Sequence, residues 1–166
     1  MAIRPRTAEN RAKMRVMIVG SGRVGATLAN RLSREGHEVS IVDLNPASFE
    51  RYLDSDFAGR TTRGDGIDED VLREAGIEQV DAFVAAMQGD NHNLMSAQIA
   101  KIVFGVKRVV ARCNDPVRME LFEELGLATI CPSLLGARAL YGALMDETLH
   151  QRDIAGAIER LLTGRQ

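Results

Sequence analysis

The stretch VMIVGSGRVG, residues 16–25, restricts the fold more than any other part of the chain. An apolar, partly β-branched run stops at Gly20, and Gly22 and Gly25 complete a G-x-G-x-x-G spacing. The run MRVMIV, residues 14–19, reads as a buried strand. The segment after it, RVGATLANRLSREG (23–36), sets Val24, Leu28 and Leu32 four residues apart and ends on a glycine, the pattern of a helix with a C-terminal stop. A strand that passes through such a turn into a helix is the context that gives the three glycines a mechanism. Gly20 permits the tight turn, Gly22 removes a Cβ where a pyrophosphate would approach, and Gly25 lets the helix pack close to the strand. The first helical turn then offers unpaired N–H groups and a partial positive charge to an anion. Arg23 opens that helix, either as an exposed residue or lying over the phosphates or reaching a neighbouring subunit's ligand.

The alternation continues along the chain. HEVSIVD (37–43), GRTTRGDG (59–66), DAFVAAM (81–87), KRVVARC (107–113) and LATIC (127–131) read as further strands. Asn45 and Pro46 open a short helix. DEDVLREAGI (68–77), NLMSAQIAKIVF (93–104) and PVRMELFEELG (116–126) read as helices, the last introduced by Asp115 and Pro116. In the second of these, Leu94, Ala97 and Lys101 form one stripe and Met95, Ile99 and Ile102 another, so it is expected to pack on the sheet and on something else. Strands alternating with helices in units of this size predict βαβ repeats and an α/β fold. The expectation is a Rossmann-like, doubly wound parallel six-stranded sheet in the order 3-2-1-4-5-6, with a C-terminal crossover helix. Residues 1–13 carry Arg4, Arg6 and Arg11 and read as a flexible tail. Residues 14–132 form the nucleotide-binding domain, and 133–166 form C-terminal helices. Within the last, Ile154, Ala157, Ile158, Leu161 and Leu162 make a stripe that covers its own sheet or crosses to a partner.

Asp43 ends the second strand, where a carboxylate accepts the hydroxyls of an adenosine ribose. It would repel a 2′-phosphate, so NADP is disfavoured, while NAD(H) and ATP or ADP fit alike. Asp43 also reads as a cap of the turn before Pro46. The 166 residues are 45% hydrophobic and 27% charged with a net charge of −2, which disfavours a nucleic-acid partner. Two cysteines, Cys113 and Cys131, fit a reducing cytoplasmic compartment and lack metal-site spacing. No apolar stretch is long enough to span a membrane, and the N-terminus has no apolar signal segment. A dehydrogenase is disfavoured, because too little chain remains for a substrate domain and neither Tyr52 nor Tyr141 has a lysine four residues on. His37 and His150 read as solvated. His92, after the fourth strand, is the one general-base candidate, and Asp90 beside it reads as a helix cap.

Three segments, VMIVGSGRVGATLANRLSREGHEVSIVDLNP, RGDGIDEDVLREAGIEQVDAFVAAMQGDNHNLMSAQIAK and FGVKRVVARCNDPVRMELFEELGLATICP, resemble the RCK N-terminal (KTN or TrkA-N) family, regulators of K⁺ conductance. The resemblance implies a non-enzymatic cytosolic regulator, at the inner face of the membrane, of a K⁺ channel or Trk/Ktr-type transporter. It implies that nucleotide shifts an assembly of such domains between conformations. By carry-over, Gly20, Ser21, Gly22, Arg23, Val24, Gly25, Asp43 and Leu44 hold the nucleotide. Asp65 and Gly66 lie near the adenine end, Ala86 and Met87 line the pocket, and Arg112 and Asn114 lie between ligand and subunit contact. Asp65 also reads as turn chemistry, and Arg112 as half of an ion pair. Residues 133–149 match the helix that crosses to a dimer partner, and dimers would stack into rings, with copies of the chain or a longer relative. Family members usually carry a second, C-terminal ligand-sensing domain, which is not expected in a chain that stops at Gln166. The rival readings are a small NAD-dependent oxidoreductase with a pocket shared across a dimer, and a redox or energy sensor with a soluble partner.

Overall fold

In a computed structural model the structure describes residues 12–145. The expected tail, apart from its last two residues, and the stripe from Ile154 to Leu162 lie outside the described residues, as does His150. Six strands, β1 (Arg15–Val19), β2 (Glu38–Asp43), β3 (Arg60–Arg63), β4 (Ala82–Ala85), β5 (Arg108–Arg112) and β6 (Ala128–Ile130), form one sheet in the order 3-2-1-4-5-6. Every pairing is parallel; β1 sits at the centre with Ile18 opposite Ile41 on one side and Val84 on the other. A parallel sheet needs a crossover between neighbours and buries both faces, which explains why β1 is buried at four of its five positions.

Side chains alternate across the sheet, so two cores form. Val16, Ile18, Val39 and Ile41 pack with Ala29 of α1 (Arg23–Arg34) and with Phe49 of α2 (Ala47–Tyr52). Met17, Val19, Val42 and Phe83 pack on the other face with Leu72 of α3 (Glu69–Glu74), Ala97 of α4 (Asp90–Gln98) and Phe122 of α5 (Pro116–Glu124). The last described helix, α6 (Pro132–Leu144), contributes to neither core; Leu134, Leu140, Tyr141 and Leu144 are exposed.

Several local expectations change. The residues at helical spacing in α1 are not buried alike: Leu28 and Leu32 pack on the core while Val24 is exposed, and α1 buries Gly25, Ala26, Ala29 and Asn30 against the sheet. The helix expected over 68–77 stops at Glu74, because Gly76 adopts φ +91° and the chain continues as a 3-10 turn, Ile77–Gln79. The helix expected over 93–104 starts at Asp90 and passes after Gln98 into a π-helical turn, Ile99–Val103. Met95 and Ile102 on its second stripe are exposed. His37 is half-buried rather than solvated, and its Nδ1 accepts the Met14 amide at 3.1 Å.

Candidate functional site

The glycine loop is built by close contacts that leave one position open. Gly20 adopts φ +100°, donates to the Val42 carbonyl at 2.8 Å, and lies so near the Ala86–Met87 backbone that a Cβ would come within 2.7 Å of it. A Cβ on Gly25 would stand 1.9 Å from the Gly20 carbonyl oxygen. A Cβ on Gly22 would meet nothing within 4 Å. Gly20 and Gly25 thus hold the turn together, while Gly22 faces free space. Gly22 is also the N-cap of α1, without a side-chain cap, and the Ala26 amide to the Gly22 carbonyl, 2.9 Å, is the first bond of the helix. The amides ahead of it are the orphan donors that an anion satisfies.

Asp43 reaches back across the sheet edge to this loop. Its Oδ2 accepts the Ser21 amide at 2.6 Å and its Oδ1 accepts the Asn45 amide at 2.8 Å. The carboxylate therefore closes the turn before Pro46 and braces the glycine loop, and each oxygen keeps lone-pair capacity for a further donor. Ser21 is fully buried and its hydroxyl has no partner, a state shared among the described residues only with Thr62. An orphan hydroxyl and an open Cβ position beside free helix amides fit a nucleotide's phosphate and ribose groups.

The remaining candidates meet at the same edge. Gly66 is buried with Val19 Cγ1 1.9 Å and Met87 Sδ 3.4 Å from where its Cβ would stand. Asp65 Oδ1 accepts the Ile67 amide at 3.2 Å, turn chemistry that holds this loop. Ala86 turns its methyl into the α1-side core, so only its backbone faces the loop. Arg112 makes no ion pair among the described residues; its Nε donates to Asn114 Oδ1 at 3.0 Å. Arg23, Val24 and Leu44 are exposed at the rim, and His92 is exposed.

Motif reading gave Asp90 only a cap role and assigned Asn93 and Ser96 no part in holding these loops in place. Asp90, Asn93 and Ser96 lie three residues apart and so share one face of α4. Asn93, fully buried, accepts the Met87 amide at 2.7 Å and donates to the Met87 and Arg112 carbonyls, each at 2.9 Å. The Ser96 hydroxyl donates to the Gly66 carbonyl at 2.6 Å. Asp90 does not cap its own helix: its carboxylate accepts the Asn114 amide at 2.8 Å, the Asn114 side chain at 3.0 Å and the Asp115 amide at 3.1 Å. Burial pushes the Asp90 pKa up, but the hydrogen bonds from Asn114 and Asp115 outweigh it and hold the carboxyl below its ordinary range. One helix face thereby ties down the exits of β3, β4 and β5. The signal was present as polar residues at helical spacing, but a search for apolar stripes passes over it.

The chain and its fold have counterparts in other proteins. Residues 16–132 match the model of the TrkA-N domain. The chain belongs to the TrkA-N domain family. Among relatives, a Trk system potassium uptake protein TrkA from Streptomyces coelicolor is 48% identical over 117 residues, covering 70% of this chain and 52% of its own length. A TrkA homolog from Pyrococcus abyssi is 33% identical over 112 residues, covering 68% of this chain and 49% of its own. The chain thus spans about half the length of these curated relatives. Solved TrkA-N-like folds align with it as well. The Shewanella denitrificans Kef C-terminal domain in its AMP-bound form has TM-score 0.64 and 23% identity, covering 89% of this chain and 98% of that one. GsuK bound to ADP has TM-score 0.69 and 22% identity, with 81% and 34% covered. The GsuK channel bound to NAD has TM-score 0.60 and 19% identity, with 74% and 22% covered. Among the described residues there is no cluster suited to a metal ion, and no helix is long and apolar enough to cross a membrane.

Proposed function

We propose that this chain is a nucleotide-binding regulatory domain of a K⁺ transport system, and that its bound nucleotide, NAD(H) or ATP/ADP, sets the conformation of an assembly contacting a membrane transporter or channel. The observation that carries this reading is the Asp43 carboxylate held 2.6 Å from the Ser21 amide, beside the open position at Gly22. That arrangement offers a ribose acceptor and a phosphate cradle at one sheet edge. TrkA-named relatives and the AMP-, ADP- and NAD-bound neighbours support the ligand class and the transport role. The residues assigned to the nucleotide are Gly20, Ser21, Gly22, Arg23, Gly25 and Asp43, with Asp65, Gly66, Met87 and Arg112 around them. The domain division, with residues 14–132 as the binding unit and α6 leading to a partner, belongs to the same proposal, as does a cytoplasmic position against the membrane's inner face. Regulation works by population shift: the ligand moves the assembly only as far as its affinities for two states differ. An oxidoreductase draws no support from the geometry, since His92 is exposed and the Asp90 carboxylate is engaged by Asn114 and Asp115.

The test is thermal melting of the purified chain with NAD⁺, NADH, ATP, ADP, AMP and NADPH. A ligand at a hundredfold excess over its Kd stabilises by about 2.7 kcal/mol, and NADPH is expected to act least. Asp43→Ala should weaken binding by ~1–3 kcal/mol, the range of a charge-assisted hydrogen bond. No shift with any nucleotide removes the proposal.

A further inference from the structure

The two cysteines take no part in the phosphate loop, yet the sheet brings them together. The β5–β6 register runs Val110 to Ala128, Ala111 to Thr129 and Arg112 to Ile130. The Cys113 amide then donates to the Ile130 carbonyl at 3.0 Å, so the next step of the same register sets Cys113 opposite Cys131. The ladder ends there because the following residue, Pro132, has no N–H to return to Cys113. Register partners on parallel strands point to the same face. Val109, Ala111 and Cys113 are buried in alternation along one strand, and Leu127 and Cys131 are buried in step on the other. Adjacent strands lie about 4.8 Å apart, inside the ~4.4–6.8 Å Cα separation that a disulfide spans. Both thiols are free and turn to consecutive carbonyls, Cys113 Sγ to Asp115 at 3.2 Å and Cys131 Sγ to Asn114 at 3.6 Å.

We propose that Cys113 and Cys131 are a dithiol site that a peroxide oxidant closes to an intramolecular disulfide, tying the exit of β5 to the start of α6. Both residues are buried, Cys113 at 0% and Cys131 at 4% exposed, and the proposed order starts at the less enclosed residue, Cys131. A sulfur–oxygen bond forms on Cys131 as the peroxide O–O bond breaks, and one water leaves. The Cys113 sulfur then attacks the Cys131 sulfur; the S–S bond forms, the S–O bond breaks, and the oxygen departs with the Cys113 proton as a second water. Two electrons pass from the two thiols to the peroxide. The link lies at a junction. Cys113 stands between Arg112, whose carbonyl Asn93 holds, and Asn114, which Asp90 holds, while Cys131 is the N-cap residue of α6. Closing it joins the rim of the nucleotide site to the helix that leaves the core. Burial pushes the Cys113 thiol up and the Asp90 charge adds to this, so the resolving sulfur is held as the thiol whose proton leaves in the second water.

The experiment treats the reduced full chain with hydrogen peroxide, then denatures it in a thiol-alkylating reagent and reads intact mass. The expected product is an unalkylated single chain lighter by two hydrogen atoms, with one linked peptide containing both cysteines. Dithiothreitol should return both thiols to alkylation. Two thiols still alkylated, two separate sulfinic or sulfonic acids, or a link only between chains would overturn the proposal. In Cys113→Ser the expected product is a sulfenic acid on Cys131 trapped by dimedone, and a chain without that adduct overturns the order of steps. Should that variant not fold, the wild-type mass decides. None of these readings requires nucleotide, so they stand apart from the proposed function.

Discussion

A single carbon atom separates the roles of the glycines in the loop after β1. A Cβ on Gly25 collides with the Gly20 carbonyl at 1.9 Å, and one on Gly20 meets the Ala86–Met87 backbone at a positive φ, whereas one on Gly22 meets nothing. Gly25→Ala should therefore cost about 1–3 kcal/mol or more of stability through overpacking. Gly22→Ala should melt within about 0.5 kcal/mol of the parent and lose most of its nucleotide-dependent shift. Equal loss of stability in both, read by denaturant titration, would contradict this division. Asp90 supplies a second residue-scale outcome. Its folded pKa lies below that of the unfolded chain, so its contribution is present above the unfolded value, near 4 for a carboxyl, and is lost as pH falls through the folded value. Asp90→Ala should melt lower than the parent at neutral pH, by roughly 1–3 kcal/mol for three hydrogen bonds to a charge. The gap should close in acid, which parallel melts across that range check.

At the scale of the element, α4 holds the loops. Its Asp90, Asn93 and Ser96 face inward and bind the loops after β5, β4 and β3, while Met95 and, past the helix end, Ile102 face outward. Asn93→Leu leaves the Met87 amide and the Met87 and Arg112 carbonyls without their partner, at ~1–3 kcal/mol for each group left buried. The expected result is a protein destabilised by several kcal/mol, with hydrogen exchange raised first at Met87 and Asn114 rather than in β2. Uniform exchange across the sheet would mean that α4 is only packing. The order of strands and helices was legible from the chain: all six expected strands form and a helix lies near each expected place, while the ends of α3 and α4, the 3-10 turn after Gly76 and the π-helical turn after Gln98 were not. The inward polar face of α4 was not, because buried hydrogen-bonding residues and solvated ones look alike until the partner carbonyls are placed.

For the whole molecule, the balance among the described residues lies between a closed two-face core and a last described helix, α6, that joins neither face. Neither core draws on α6, and Leu134, Leu140, Tyr141 and Leu144 stand exposed along it, an apolar face consistent with the proposed crossing to a second copy. Leu140→Glu combined with Leu144→Glu should leave the melt of the 14–132 unit nearly unchanged and shift light scattering toward the monomer mass. An unchanged mass would place any subunit contact elsewhere. Because ligand and assembly are linked, the same double variant should alter nucleotide affinity only where the assembly takes part in binding.

The sequence by itself determined the parallel sheet, its strand order and the glycine turn between β1 and α1. Those follow from local signals: a period of two or of 3.6, a glycine where no Cβ fits, and a carboxylate at a strand's end. Tertiary structure alone decided that Asp43 braces Ser21, that Asp90 serves the β5 loop instead of its own helix, and that the register of β5 and β6, carried one bond further by the Cys113 amide, sets Cys113 opposite Cys131. Each of these joins residues 18 or more positions apart. Their meeting depends on sheet register and on where a burial penalty leaves a polar group needing a partner, and no local pattern encodes either.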